Sequence, residues 1–451
     1  MPPKLALILC ILFVLYLLRH DSKSQLHVSS ALWVPLIWVL IIGSRFVSQW
    51  LNIGLSFTSS GSMTEGSPVD RGIFLALEMA GIFILIRRKI DWAGLIRDNK
   101  FLSLFILYCG ISILWSDYPF VSFKRWTKML GNIVMVLVVL TDQNPVEAAK
   151  TILRRYGFIL VPFSVLLIKY FPDIGRYYNQ WTWGTFYGGV TLNKNSLGVL
   201  SYISGIFFFW SLLIARPKNA RLYKQDVLIQ IILLVMIGWL LLISQSATSK
   251  ICFIVGVSFL LVIKWPSIRR NITQIGIYFI ILIAFLLMLE FSIGLSSFVL
   301  EQSGRDSTLT DRVPIWTELL SMRTNPLIGT GFESFWLGER LARVWDTWKG
   351  INQAHNGYLE TYLNLGMIGV LLLFGLIVVA YVNNKNELLA NFEWGSLSMT
   401  FLLMAVISNI SEATFHGLNV LLFTFFVIVV KCPRPAPFPV QARINPVMGK
   451  S

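Results

Sequence analysis

The sequence predicts an all-α, polytopic membrane protein with about 12–13 transmembrane helices and one long, partly helical loop outside the bilayer, a GT-C-like plan. Three observations carry this expectation. Hydrophobic residues make up 55% of the 451 positions. Only 14% are charged, against about 25% in soluble domains. The apolar residues also run in long blocks, such as Leu197–Ala215 and Ile275–Leu289. Together these exclude a soluble globule, a disordered chain and a secreted disulfide scaffold.

A span needs about 20 mostly apolar residues, fewer where aromatic or snorkelling residues flank it. In order, apolar segments fall near 5–18, 32–49, 72–87, 101–116, 127–141, 156–171, 197–215, 227–244, 250–264, 273–290, 358–382, 397–411 and 417–431. In lipid every backbone polar group must be satisfied within its own segment, so each reads as a helix. The first block resembles a signal peptide, with Lys4 before an apolar core. It is followed by Arg19-His20-Asp21-Ser22 and no small-residue cleavage site, so we read it as a retained span.

The net charge of +15 is mostly topology. Arg87, Arg88, Lys89, Arg97 and Lys100 follow the third span. Arg216, Lys218, Arg221 and Lys224 follow the seventh, and Lys264, Arg269 and Arg270 the ninth. Lys431, Arg434, Arg443 and Lys450 sit at the tail. Strict alternation puts all four groups on one side, which the positive-inside bias makes cytoplasmic. The domain plan is then an N-terminal helix bundle (1–290), a periplasmic loop (291–357), C-terminal helices (358–431) and a cytoplasmic tail (432–451). Residues 291–354 hold seven acids and six bases, a balance that fits the outside. Lys124, Arg125 and Lys128 break the pattern, and anion binding is one reason for cations there.

Within the long loop, Asp311 caps a predicted helix with Pro314 in its first turn, and Trp316, Leu319 and Leu320 share one face. A second helix is expected from Glu333 to Trp348, apolar through Trp336, Leu341, Trp345 and Trp348 and charged opposite. Cys10, Cys109, Cys252 and Cys432 lie in or beside apolar runs and show no ligand spacing. His20, His27, His355 and His416 form no H-x-x-x-H pair, so zinc chemistry has no support.

Polar residues gather in five external strings: WSDYP (115–119), GGVTLNKNSLG (188–198), SQSATSK (244–250), GRDSTLTDRVPIW (304–316) and AHNGYLE (354–360). Arginines and lysines, one histidine, and amide and hydroxyl donors suit binding of a diphosphate and activation of a hydroxyl.

The stretch from Gly304 through Trp336, followed by AHNGYLETYLNLGMIGV, resembles the signature region of the O-antigen ligase/polymerase superfamily. Its residues here are Arg312, Trp316, Pro326, Gly329, Gly331, Phe335, His355 and Asn356. WSDYP, NKNSLG and SQSAT resemble further elements of the exopolysaccharide-polymerase, succinoglycan-type, branch. The resemblance implies a metal-independent inverting glycosyltransferase that needs no cofactor. It faces the periplasm in the bacterial inner membrane. Its substrate is an oligosaccharide on undecaprenyl pyrophosphate, delivered by a flippase and extended under a chain-length regulator; nucleic acid has no part. Ligases of the superfamily often carry Arg after the second serine of S-x-S-R, where this chain has Ala247, with Lys250 one turn on. That departure favours a polymerase over an O-antigen ligase acting on lipid A core. A glycolipid transporter or flippase is the rival of another class.

In this reading His355 is the general base and Arg312 the fork that holds the leaving diphosphate. Arg305, Arg176, Lys194, Asn195, Lys250, Trp316, Asn356 and Arg125 are candidate substrate contacts. Each has a plainer alternative. His355 can be a helix-start residue, Arg312 can pair with Asp311, Asp306 or Glu318, and Asn195 and Asn356 can be helix caps. Trp181, Trp183, Trp336 and Trp345 suit interfacial anchoring better than sugar stacking. Arg45 and Glu78 fall inside apolar spans, as a mutual ion pair or a substrate contact. Glu412 and His416 read as a further external polar pair.

Overall fold

The computed structural model describes residues 1–24, 28–52, 67–178, 184–214, 220–276, 284, 288, 312–348 and 350–432. Twelve of the thirteen apolar segments form helices; the other, 273–290, lies mostly outside the described residues. Six described helices are long and apolar enough to cross a membrane: Pro3–Ser22, Pro145–Tyr170, Lys194–Ile214, Tyr223–Ser244, Gly357–Ala390 and Phe392–Ser411. Trp92–Asp98 and Lys100–Trp115, bent by 93°, make a seventh if they form one broken span. Three further apolar helices, Ser30–Ile42, Ala247–Ile263 and Val420–Val429, are shorter. Val420–Val429 has 10 residues, a rise of about 15 Å, half a hydrocarbon core. The chain is an all-α, multi-pass membrane protein; among the described residues one short antiparallel pair forms, Arg176–Tyr178 against Thr185–Tyr187.

Long-range polar contacts respect the two faces that alternation defines. On the basic face, Asp21 receives Arg154 at 2.5 Å and Arg155 at 2.7 Å, and His20 meets Asp226 at 2.6 Å. Arg88 reaches Asp142, and the Asn99 side chain both donates to the Lys431 carbonyl and accepts from its N–H. Asp21 also ties the first helix to the helix Pro145–Tyr170. On the other face Arg340 holds Asp117 at 2.5 Å. There Arg45 donates to the carbonyls of Ile174 at 2.6 Å and Thr191 at 3.1 Å. That corrects the expected Arg45–Glu78 pair. Arg45 lies beyond the end of Trp33–Ile42, where loop carbonyls satisfy its guanidinium, while the Glu78 carboxyl sits against Gly131 beside Trp38.

The 34-residue helix Gly357–Ala390 is broken at Gly366, whose φ is 65° and ψ −167°. The break frees peptide groups that lipid cannot satisfy, and the loop Pro326–Gly331 takes them up. Met367 N–H donates to the Pro326 carbonyl (2.9 Å), and Ile368 N–H to Leu327 (3.1 Å). Thr330 N–H donates to Leu363 (3.2 Å) and Gly331 N–H to Asn364 (2.9 Å). A Cβ at Gly366 would collide with the Leu327 carbonyl, and one at Gly329 with the Asn364 backbone. The Pro-x-x-Gly-x-Gly spacing is thus a splice between loop and helix. The turn 112–115 leading into WSDYP closes it: Trp115 donates to the Ile328 carbonyl (3.1 Å) and Phe332 N–H to Ser112 Oγ (3.0 Å).

The segment between the described helices has its own small core, in which Ile315, Leu319, Met322, Phe335, Trp336, Leu341, Val344, Ala354 and Leu363 are buried. Leu320 points away from it, 57% exposed. The second helix begins at Gly338, five residues later than expected. Phe335 N–H is spent on Asn364 Oδ1 (3.0 Å), Trp336 Nε1 on Glu360 (2.6 Å), and the Glu333 carboxylate on Gly417 N–H (2.6 Å). Those bonds hold 333–336 in turns ahead of the helix, with Glu333 at a φ of 48°. Asp311, the expected cap, lies outside the described residues, as do Trp181 and Trp183.

Candidate active site

The described parts of the polar strings interlock through their small residues. Gly198 of NKNSLG packs on Ser249 of SQSATSK, where a Cβ would collide with its Oγ. Thr248 of the same string meets Ser411 at 2.6 Å, at the end of helix Phe392–Ser411. Gly357 of AHNGYLE packs on Asn409 of that helix just as tightly. Asn409 Oδ1 in turn accepts from Thr414 and Phe415 N–H at 2.9 and 3.0 Å. These contacts bring Glu412 to the loop that carries His355.

His355 has a φ of 49°. A non-glycine residue in that region costs about 1–3 kcal/mol and persists only where its surroundings over-determine it. Here both neighbours are clamped. Ala354 N–H donates to Glu360 Oε2 (2.8 Å), and the Ala354 carbonyl accepts from Trp316 Nε1 (2.7 Å). On the other side Asn356 Oδ1 accepts from Tyr358 and Leu359 N–H, both at 3.0 Å, and its amide donates to the Ile410 carbonyl at 3.2 Å. Asn356 is therefore a helix cap that also faces the Glu412 turn. Glu360, 1% exposed, is the anchor of the whole loop.

The imidazole Nδ1 lies 3.7 Å from Glu412 Oε2, and Arg312 Nη2 lies 3.9 Å from Oε1. Both are ion-pair distances rather than hydrogen bonds. Asn195 Nδ2 donates to the same Oε1 at 2.8 Å, and Gln353 Nε2 stands 3.3 Å from His355 Nδ1. Arg312, for which Asp311, Asp306 and Glu318 were the local candidates, reaches this distant acid; Asp306 and Asp311 lie outside the described residues. A cavity of about 290 Å³ opens here, lined by Asn195, Gln353, Glu412 and His416 among others. The expected Glu412–His416 pair is corrected: Glu412 serves His355 and Arg312, and His416 Nδ1 faces Glu333 Oε1 at 3.9 Å.

Three further candidates stand apart from this cluster. Arg176 Nε donates to the Ile168 carbonyl (2.8 Å), with its guanidinium over the Tyr187 ring. The Lys194 ammonium lies over Phe186. Arg125 donates to the Glu333 carbonyl, which accounts for one of the cations on the unexpected side. Lys250 stands on the first turn of Ala247–Ile263, and Arg305 lies outside the described residues. Burial penalises charge on Glu333, but His416, Arg125 and Gly417 N–H outweigh it and bring its pKa down to about 2.

Sequence reasoning underweighted Glu412 and passed over Glu360 and Glu333. Glu412 ends an apolar helix in a chain poor in acids, a signal in itself. Glu360 and Glu333 sit inside the recognised strings and look like ordinary loop charges until the tertiary contacts are seen.

Residues 231–374 match the O-antigen ligase family. That stretch carries Arg312, Trp316, His355, Asn356 and Glu360, whereas Asn195, Glu412 and His416 lie outside it. The chain is also similar to the exopolysaccharide production protein ExoQ of Rhizobium meliloti (strain 1021), 23% identical over 299 residues. The match covers 63% of this chain and 65% of that protein, so it spans slightly less than two thirds of the relative. The resemblance to the O-antigen ligase superfamily, on its exopolysaccharide side, holds at the level of the domain as well as the motif.

Proposed function

We propose that the chain is an exopolysaccharide polymerase of the inner membrane. In this reading it joins repeat units borne on undecaprenyl pyrophosphate at the periplasmic face, without metal and with inversion. The observation that carries it is the convergence of His355, Arg312 and Asn195 on one buried carboxylate that also lines a cavity. The hydroxyl at the end of an acceptor glycan loses its proton to His355 Nε2 as its oxygen bonds to the anomeric carbon of the donor. The bond from that carbon to the phosphate oxygen breaks, and its electron pair leaves with the diphosphate, which Arg312 neutralises. Glu412, facing Nδ1 across 3.7 Å, steadies the imidazolium that forms by its charge.

A lipid-linked donor also suits the ground next to the cavity. An apolar hollow of about 530 Å³, walled by Leu40, Ile41, Phe163 and Leu167, shares Ser44 with it and has Arg45 and Trp50 at its edge. The test is transfer by purified protein given lipid-linked repeat units. Ladders of longer lipid-linked glycan are expected; transfer only to lipid A core, or movement of the lipid without transfer, would replace the proposal with the ligase or the transporter.

A further inference from the structure

The cavity beside that cluster is lined by another histidine, His416, which the transfer scheme leaves idle. His416 sits in a turn fixed from both sides: Asn409 accepts from Thr414 and Phe415 N–H, and Asn419 Nδ2 donates to the Thr414 and His416 carbonyls at 2.9 and 3.1 Å. Its Nδ1 faces the Glu333 carboxylate, which the adjacent Gly417 N–H holds at 2.6 Å. Glu333 itself has a φ of 48°, so its backbone is held in an unfavourable conformation to present that carboxylate. The His416 side chain is one-third exposed, at 32%, and the residue lines the cavity with Asn193, Asn195 and Gln49. No hydrogen bond joins Nε2 to a described residue. A carboxylate behind one nitrogen fixes the ring and leaves the other N–H for a ligand.

We propose that His416 is a cationic subsite, whose Nε2–H binds an oxyanion of the substrate in the cavity, with Glu333 as its positioning residue. The oxyanion is a phosphoryl group of the donor or the carboxylate of an acidic sugar. The choice of these ligands rests on the function proposed above; the subsite itself rests on the geometry. Charge balance supports it. Burial disfavours the imidazolium and Arg125 opposes it, but Glu360 and Glu333 prevail, so the His416 pKa stands above the ordinary 6.5.

The test uses full-length protein in detergent, with thermal stabilisation by inorganic pyrophosphate and by glucuronate as two probes. One or both should stabilise the parent protein, and which one does identifies the source of the oxyanion. His416→Gln should raise the half-saturating concentration about tenfold or more, the worth of one hydrogen bond to a charged group. His416→Lys should restore most of it. Glu333→Gln should weaken binding more at pH 8 than at pH 6, because the ring then loses its proton more readily. If His416→Gln fails to fold, the Lys and Glu333→Gln variants carry the comparison. Parent-like binding in His416→Gln, or no stabilisation of the parent by either probe, overturns the subsite. Should the protein transfer no sugar yet bind pyrophosphate through His416, the function above fails and the subsite stands. An active His416→Gln with unchanged KM for the donor sinks the subsite alone.

Discussion

At the scale of the residue, the site turns on Glu412 and what it holds. His355→Ala should lower polymer formation by purified protein about 10²–10⁴-fold with the fold intact; near-parent rates would remove the base. Arg312→Lys should be nearly as damaging as Arg312→Ala, since an ammonium cannot offer a bidentate fork. A lysine variant close to the parent rate would argue for plain charge instead. Glu412→Gln keeps the size and the Asn195 contact but loses the charge that faces both cations. A loss of about tenfold in kcat is expected, equivalent to about 1.4 kcal/mol, and no loss would demote Glu412 to packing. His355 and Arg312 were legible in the sequence because each lies in a dense polar string. Their shared partner was not, because it arrives from a helix end 57 residues beyond His355, and no local spacing encodes that approach.

At the scale of the element, the helix break and the buried carboxylates set two expectations. Gly366→Ala places a Cβ against the Leu327 carbonyl at a φ of 65°. It should destabilise the protein by about 1–3 kcal/mol, read as a lower melting temperature in detergent; an unchanged melt would deny the interlock. The Glu333–His416 pair should confer pH-dependent stability. Glu333, lowered from 4.5 to about 2, contributes fully above 4.5 and loses its contribution as pH falls toward 2. His416, raised above 6.5, contributes fully below 6.5 and loses its contribution as pH rises through its elevated value. The pair is therefore strongest between about pH 4.5 and 6.5, and the melting temperature of Glu333→Gln relative to the parent should fall furthest there. The positions of the helices could be read from apolar runs, whose signal is local. The late start at Gly338 could not, since residues 333–336 give their polar groups to partners on other elements.

At the scale of the whole molecule, the alternation of basic clusters sorted the loops onto two faces before any contact was known. The long-range bonds of Asp21, Arg88, Asn99, Arg45 and Arg340 follow that sorting. The count of spans was less secure, because Val420–Val429 and Trp33–Ile42 end after 10 residues where the chain turns to polar loops. Removing the gene provides the test at this scale. Single lipid-linked repeat units should accumulate outside the membrane. Long lipid-linked chains would point to a ligase, and units held on the cytoplasmic side to a flippase.

The splice at Gly366 also constrains how such chains can be recombined. Pro326–Gly331 and Leu363–Ile368 share four backbone bonds in a single register, so one residue gained or lost on either side would misalign them all. A hybrid that borrows the external segment from a relative must therefore import helix 357–390 as part of one cassette, whereas an exchange cut between them would join two halves whose teeth no longer mesh.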